Sequence, residues 1–314
     1  MTRVLFIGGL GRSGTTLIEK LLNEVPGTVS VGETLHLWER GVRDHERCGC
    51  GEPFAECPRW AAIGERAFGG WDRADVDDLI ELRWRIDRTR SIGSIVRAVR
   101  SGLDDEQARY VDALKAVLQA AAEVSDAQVV LDSSKHLSTA ALLAADPDLD
   151  VRVLHVVRDP RGVAYSWTKQ VARPEADGDD MPTYSPARTA LRWVTDNLGF
   201  DALGRLGVSV TRLRYEDVLA DPDGSLRRIL AAASLDVDQP LDFIDGRTAH
   251  VERPMHSIAG NPMRFGGDDL VLRLDDAWQT RLGARDRRIV TTITRPVLGR
   301  FGYRPNPTTR PFDA

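Results

Sequence analysis

No run of apolar residues in this chain is long enough to cross a bilayer, which excludes a membrane-spanning helix. Basic charge is not in excess either. Lys and Arg number 42 against 47 Asp and Glu, and a net charge of -5 with a pI near 5.8 argues against a nucleic-acid coat or a basic membrane-binding surface. Any basic character must be local. There is no internal repeat and no low-complexity segment. The first residues enter an apolar stretch at once, which leaves no room for a signal peptide and makes the cytoplasm the expected location. Cysteine is scarce: three residues, all between positions 48 and 57.

What is present suits an enzyme built on a parallel sheet. A chain of 314 residues can bury a large core as one α/β domain over 1–314, with an irregular, helical excursion at about 36–125. The run Val4 to Ile7 reads as a strand buried on both faces, and Leu17, Ile18, Leu21 and Leu22 read as the buried side of a helix. Between them stand Gly8, Gly9, Gly11 and Gly14, which allow backbone amides to ring an anion at the positive end of that helix. Gly9 to Thr16 matches the ATP-binding pattern G-x-x-x-x-G-K-[ST] except at the lysine, where Thr15 stands. The cation, Arg12, lies inside the loop instead, so the cradle suits a terminal phosphate better than a triphosphate tail.

Arg12-Ser13-Gly14-Thr15-Thr16 resembles the 5′-phosphosulfate loop of sulfotransferases that use 3′-phosphoadenosine-5′-phosphosulfate (PAPS). A second segment strengthens the likeness. After the apolar run Val151 to Val157 comes Arg158-Asp159-Pro160-Arg161-Gly162-Val163-Ala164-Tyr165-Ser166, which is similar to that family's 3′-phosphate motif. The resemblance implies that Gly11, Arg12, Ser13, Gly14, Thr15 and Thr16 hold the 5′-phosphate, and that Arg158 and Ser166 hold the 3′-phosphate. The chemistry agrees, since Pro160 can start a helix that carries Ser166 about two turns along, and a guanidinium with a hydroxyl suits a phosphate monoester.

The same resemblance assigns the reacting groups. Glu33 follows the short strand Thr28 to Val31, at the strand end where open α/β sheets bind ligands, and matches the catalytic Glu of protein-tyrosine sulfotransferases and their bacterial relatives. It is expected to take the proton from an acceptor hydroxyl. Lys135, after the strand Val129 to Leu131, matches the Lys that stabilises charge on the departing phosphate. His136 is the rival base; cytosolic sulfotransferases place a His near this Lys, but one residue further on. Tyr215, in Arg214-Tyr215-Glu216-Asp217 after the strand Val208 to Leu213, is expected near the nucleotide, and Ser257 and Arg264 are candidate phosphate contacts in a late loop closing over the donor.

Around these, helices are expected at 75–88 and 104–124, the second with Tyr110, Leu114, Val117 and Leu118 on one face, and another at 285–298. Trp71, Trp84 and Tyr110 are candidates for acceptor contact, with packing as the competing role. Residues 173–186, rich in Pro, Asp and Gly, read as a mobile acceptor lid. Cys48, Cys50 and Cys57, with His45 nearby, could bind zinc or form a disulfide. The C-x-C-x6-C spacing is not a common structural zinc pattern, so a loop without metal is the expectation.

The expected fold is therefore a P-loop-type, three-layer α/β structure with a central parallel sheet flanked by helices. The expected activity is PAPS-dependent transfer of a sulfuryl group to a hydroxyl of a small-molecule, carbohydrate or lipid acceptor, releasing 3′-phosphoadenosine-5′-phosphate (PAP) without a metal. The alternatives are a magnesium-dependent kinase or nucleotidase and a PAP-binding module that transfers nothing.

Overall fold

The computed structural model describes residues 1–88, 91–173, 180–235, 240–266 and 269–305. Strand β1 (Thr2–Gly8) is followed by helix α1 (Thr15–Asn23) and strand β2 (Thr28–Gly32). The excursion then runs through a π-helical stretch (Leu37–Arg43) and helices α2 (Pro58–Phe68), α3 (Val76–Ile86), α4 (Ile92–Ser101) and α5 (Asp105–Val124). Next come β3 (Val129–Lys135), α6 (Leu137–Ala144), β4 (Leu149–Val157), α7 (Pro160–Trp167), α8 (Pro186–Arg205), β5 (Ser209–Arg214), α9 (Tyr215–Ala220) and α10 (Pro222–Ala232). Three two-residue strands, β6 (Ile244–Asp245), β7 (Thr248–Ala249) and β8 (Leu270–Val271), make a small antiparallel sheet, and α11 (Trp278–Arg281) and α12 (Ala284–Leu298) follow.

The main sheet has the order β2-β3-β1-β4-β5, and all its pairings are parallel. Parallel strands need both faces covered, and β1 shows how: Val4 and Phe6 join the core beneath α5 and α6, while Leu5 and Ile7 join the core beneath α1, α9 and α10. Helix α5 keeps the apolar face read from its sequence, with Tyr110, Leu114, Val117 and Leu118 buried. Its start is fixed by reciprocal bonds, Gln107 N donating to Asp104 at 3.0 Å and Asp104 N to the Gln107 side chain at 3.1 Å.

One boundary differs from expectation. β3 runs on to Lys135, because the polar run Asp132-Ser133-Ser134 is satisfied inside the sheet and not in a surface turn. Ser134 N donates to Asp132 at 2.8 Å, the Thr34 hydroxyl bonds the same carboxylate, and burial pushes the Asp132 carboxyl up to about 6 against those bonds. Helix α12 packs on α8 and α7 beside the sheet. Residues 174–179 of the expected lid lie outside the described residues.

Chain order reverses at β1, whose neighbours β3 and β4 both come later in sequence. A crevice therefore opens at the carboxyl ends of the strands, where open α/β sheets bind ligands. The residues that follow these ends are the phosphate loop after β1, Glu33 after β2, Lys135 and His136 at β3, Arg158 after β4 and Tyr215 after β5.

Candidate active site

The loop between β1 and α1 closes on Gly14, which caps the helix with φ 92°. A side chain there is refused twice: the backbone is left-handed, and an added Cβ would lie 2.2 Å from Tyr215 Cδ2. The first amides of α1 thus open onto the cleft with no side-chain cap of their own. Arg12 also has a positive φ, 73°, and projects over the Trp167 ring at 5.4 Å, with Nη2 3.2 Å from Met181 Sδ. Among the described residues its buried Nε has no hydrogen-bond partner, and burial pulls the guanidinium below its usual range. A guanidinium whose Nε lacks a partner among the described residues, beside open helix amides, fits a bound phosphate. Ser13 is buried beneath the loop, its amide donating to the Leu10 carbonyl at 3.2 Å, while Gly11, Arg12, Gly14, Thr15 and Thr16 line the cleft.

Arg158 adjoins this loop. Only 7% exposed, it donates to the Arg12 carbonyl at 3.2 Å and the Asp275 carbonyl at 3.1 Å, and lies over the Tyr215 ring at 4.6 Å. Pro160 starts α7, Asp159 caps it by accepting from Arg161 N at 2.9 Å, and Ser166 near its end faces the same cleft. Asp275, 3.4 Å from Arg158 Nη2, was not foreseen. Burial opposes the ionisation of its carboxyl, but Arg158 and Lys169 hold it below the ordinary range.

At the foot of the cleft Lys135 Nζ binds Glu33 Oε1 and also donates to the Ser133 carbonyl at 3.1 Å. Lys135 has φ 68°, a strained conformation for a residue with a side chain. Burial would raise the Glu33 carboxyl, yet Lys135, followed by His36, brings it below the ordinary value. His36 Nε2 stands 3.7 Å from Glu33 Oε2. Its own neighbourhood is dry enough that burial lowers it to about 3, so it is a neutral imidazole. Burial lowers His136 to about 4, and it lines the same cleft. Gly260, with φ 102°, brings the late loop against the carboxylate; an added Cβ would sit 3.0 Å from Glu33 Oε1.

The late loop is where expected, but two of its named residues are not. Arg264 is 1% exposed and donates to the carbonyls of Arg47 and Ser257 at 3.0 and 2.9 Å, because a buried guanidinium takes the acceptors around it. Neither Arg264 nor Ser257 lines the cleft; Gly260, Asn261 and Met263 do. The aromatic candidates also separate. Tyr110 is fully buried, Trp71 packs among Trp38, Phe54, Trp60 and Phe68, and Trp84 stands 47% exposed on the cleft wall, donating to Glu39 at 2.7 Å. Periodicity could not separate them, since all three occupy or adjoin helical segments. His45 lines a different cavity with Trp71 and Asp75, so it is not the partner of the three cysteines.

The whole cleft encloses about 830 Å³. Glu39, Arg40, Arg43, Glu46, Arg83, Trp84, Arg173 and Arg192 also line it. Arg83 lies over the Trp84 ring at 4.3 Å and donates to Glu39 at 2.8 Å.

A family model described as the sulfotransferase family matches residues 5–239. Carbohydrate sulfotransferase 7 of Mus musculus is 23% identical over 360 aligned positions, covering 95% of this chain and 74% of that protein. Among solved structures, the sulfotransferase domain from the olefin synthase of Synechococcus PCC 7002 is 20% identical with a TM-score of 0.46, over 93% of this chain and 95% of that one. A sulfotransferase from Mycobacterium tuberculosis H37Rv is 17% identical with a TM-score of 0.41, over 77% and 70%.

Proposed function

The chain belongs to the sulfotransferase family and is a PAPS-dependent sulfotransferase, and we propose that it acts on a hydroxyl of a carbohydrate-like acceptor with Glu33 as the base and Lys135 as the leaving-group cation. The observation that carries the reading is that Glu33, Lys135, Arg12, Arg158 and Ser166, from four different strand ends, line one cleft. Family membership removes the kinase and the non-catalytic module as readings of the phosphate loop.

PAPS supplies the sulfuryl group and leaves as PAP. The loop amides at the start of α1, with Arg12, Thr15 and Thr16, hold the 5′-phosphate side, while Arg158 and Ser166 take the 3′-phosphate and Tyr215 flanks the nucleotide. Glu33 accepts the acceptor's proton as the oxygen closes on sulfur, and Lys135 steadies the negative charge that collects on the phosphate oxygen as its bond to sulfur breaks. For Lys135 to serve, it must share itself between Glu33 and the donor. His136 is the second candidate base; with burial holding it near 4 it is neutral at pH 7 but weakly basic.

The excursion at 36–125 supplies Glu39, Arg40, Arg43, Glu46, Arg83 and Trp84 to the acceptor side. The Arg83 and Arg88 guanidiniums lie over the Trp84 ring at 4.3 and 4.8 Å, and the carboxylates and guanidiniums of this wall can bond sugar hydroxyls, whereas a lipid tail would need an apolar wall. This side of the cleft supports a polyhydroxyl acceptor.

The test is transfer of labelled sulfate from PAPS to a panel of oligosaccharides, phenols and lipid head groups. Turnover on sugars that falls about a hundred- to ten-thousand-fold in Glu33→Gln, with PAP binding kept, is the expected result. Activity that survives in Glu33→Gln and disappears in His136→Gln would hand the base role to His136. Transfer confined to lipids would overturn the carbohydrate assignment.

A further inference from the structure

Cys48, Cys50 and Cys57 stand together in the excursion, and the tertiary fold adds a fourth group to them from 199 residues downstream, His256. The four ligand atoms lie within 4.8 Å of one another. Cys50 Sγ is 3.8 Å from Cys57 Sγ, and His256 Nδ1 is 3.2 Å from Cys57 Sγ and 3.9 Å from Cys48 Sγ. Tetrahedral zinc, with bonds of about 2.3 Å to sulfur and about 2.0 Å to nitrogen, requires edges of about 3.8 Å between two sulfurs and about 3.5 Å between sulfur and nitrogen. The observed separations bracket these edges. We infer that Cys48, Cys50, Cys57 and His256 form a closed structural zinc site.

Three soft thiolates and one imidazole select zinc over the oxygen-seeking cations. None of the four residues lines the catalytic cleft, and four protein ligands leave no open position for substrate, so the metal's role is architectural. That role follows from what the ligands are tied to. Cys57 caps α2, and Trp60 Nε1 in that helix donates to the His256 carbonyl at 2.9 Å. Next to His256, Gly49 N donates to the Ser257 carbonyl at 3.0 Å, and Glu33 N donates to the Ile258 carbonyl at 2.9 Å. A metal at this point would fasten the late loop, and with it Gly260, against the candidate base.

The C-x-C-x6-C spacing, uncommon among structural zinc sites, argued for a loop without metal, with His45 the only imidazole nearby in sequence. The fold replaces it with His256, and the objection from spacing falls because the fourth ligand is not local.

Elemental analysis of the full chain, purified from cells supplied with zinc and without any metal-affinity step, tests the inference, with no dependence on sulfotransfer. About one zinc per chain, with the three thiols unreactive toward a thiol reagent until a strong chelator is added, is the expected result. Cobalt added to the chelated protein should give the visible bands of a tetrahedral thiolate centre, and His256→Ala should retain less metal than wild type. Because loss of folding in that variant would also lower its metal content, the cobalt spectrum of the wild-type chain stands by itself. Substoichiometric zinc with three reactive thiols, a mapped disulfide between any two of the cysteines, or a cobalt spectrum without thiolate bands would each overturn the site.

Discussion

Lys135 and Glu33, 102 residues apart in sequence, are joined by an ion pair where β3 and β2 end side by side. The proposed base and the proposed leaving-group cation therefore hold each other directly. This pairing makes the resting carboxylate a weaker base than a free one. It also makes the strength of that base depend on where the ammonium is directed.

A pH consequence follows. Paired with Glu33, Lys135 lowers its carboxyl despite burial that would raise it. An anionic donor drawing on the same ammonium should let Glu33 rise again. The acid limb of kcat/KM, which reports the free enzyme, is expected at lower pH than the acid limb of kcat, which reports the bound one. Steady-state profiles from pH 4 to pH 8 check this. Coincident limbs would remove the proposed sharing of Lys135.

Arg158→Ala should weaken PAP by about 10- to 150-fold, the loss of a charge-assisted contact to phosphate. The same substitution should leave AMP, which lacks the 3′-phosphate, within about twofold of wild type. Calorimetric titration of both ligands against both proteins separates a 3′-phosphate role from a general loosening of the loop. An equal loss for AMP and PAP would show the latter.

Gly14→Ala places a methyl group against Tyr215 at a left-handed position. The strain is worth about 1–3 kcal/mol, and because it falls on the cap of α1 it should cost donor affinity as well as stability. Urea unfolding and PAP titration of the variant measure the two together. A variant of unchanged stability and affinity would mean that the loop is loose enough to move aside.

His155 governs part of the acid response. Its Nε2 is 2.8 Å from Asn197 Oδ1, its ring stacks on Phe200 at 4.9 Å, and Nδ1 has no partner among the described residues. Burial therefore lowers it to about 4 from the usual 6.5, against the Asn197 bond. Between those values the unfolded chain binds a proton that the native one refuses, so stability falls as pH drops from 6.5 toward 4. Relative to His155→Gln, the wild-type chain should lose on the order of 3 kcal/mol across that window. Unfolding free energies at pH 7 and pH 4.5 for both proteins check the sign; a parallel response would exclude His155 as the source.

The local devices were legible in the sequence because a few adjacent residues carry them. Four glycines and an apolar run dictate strand, turn and helix, and Arg12 to Thr16 sit where the first amides of α1 are free. Arg158 and Ser166 are linked by a single helix beginning at Pro160, so their relation too is a matter of local geometry. What only the tertiary structure decided are relations between distant segments. Sheet order set β2 beside β3 and so paired Glu33 with Lys135. The late loop turned Arg264 inward onto two carbonyls and presented Gly260 to the cleft. The same loop carried His256 to three cysteines that in sequence have only His45 nearby. The physical reason is common to all of these. Backbone geometry is resolved within a turn or two of chain, whereas which side chains meet across the molecule depends on how every intervening element packs, and no local pattern encodes that.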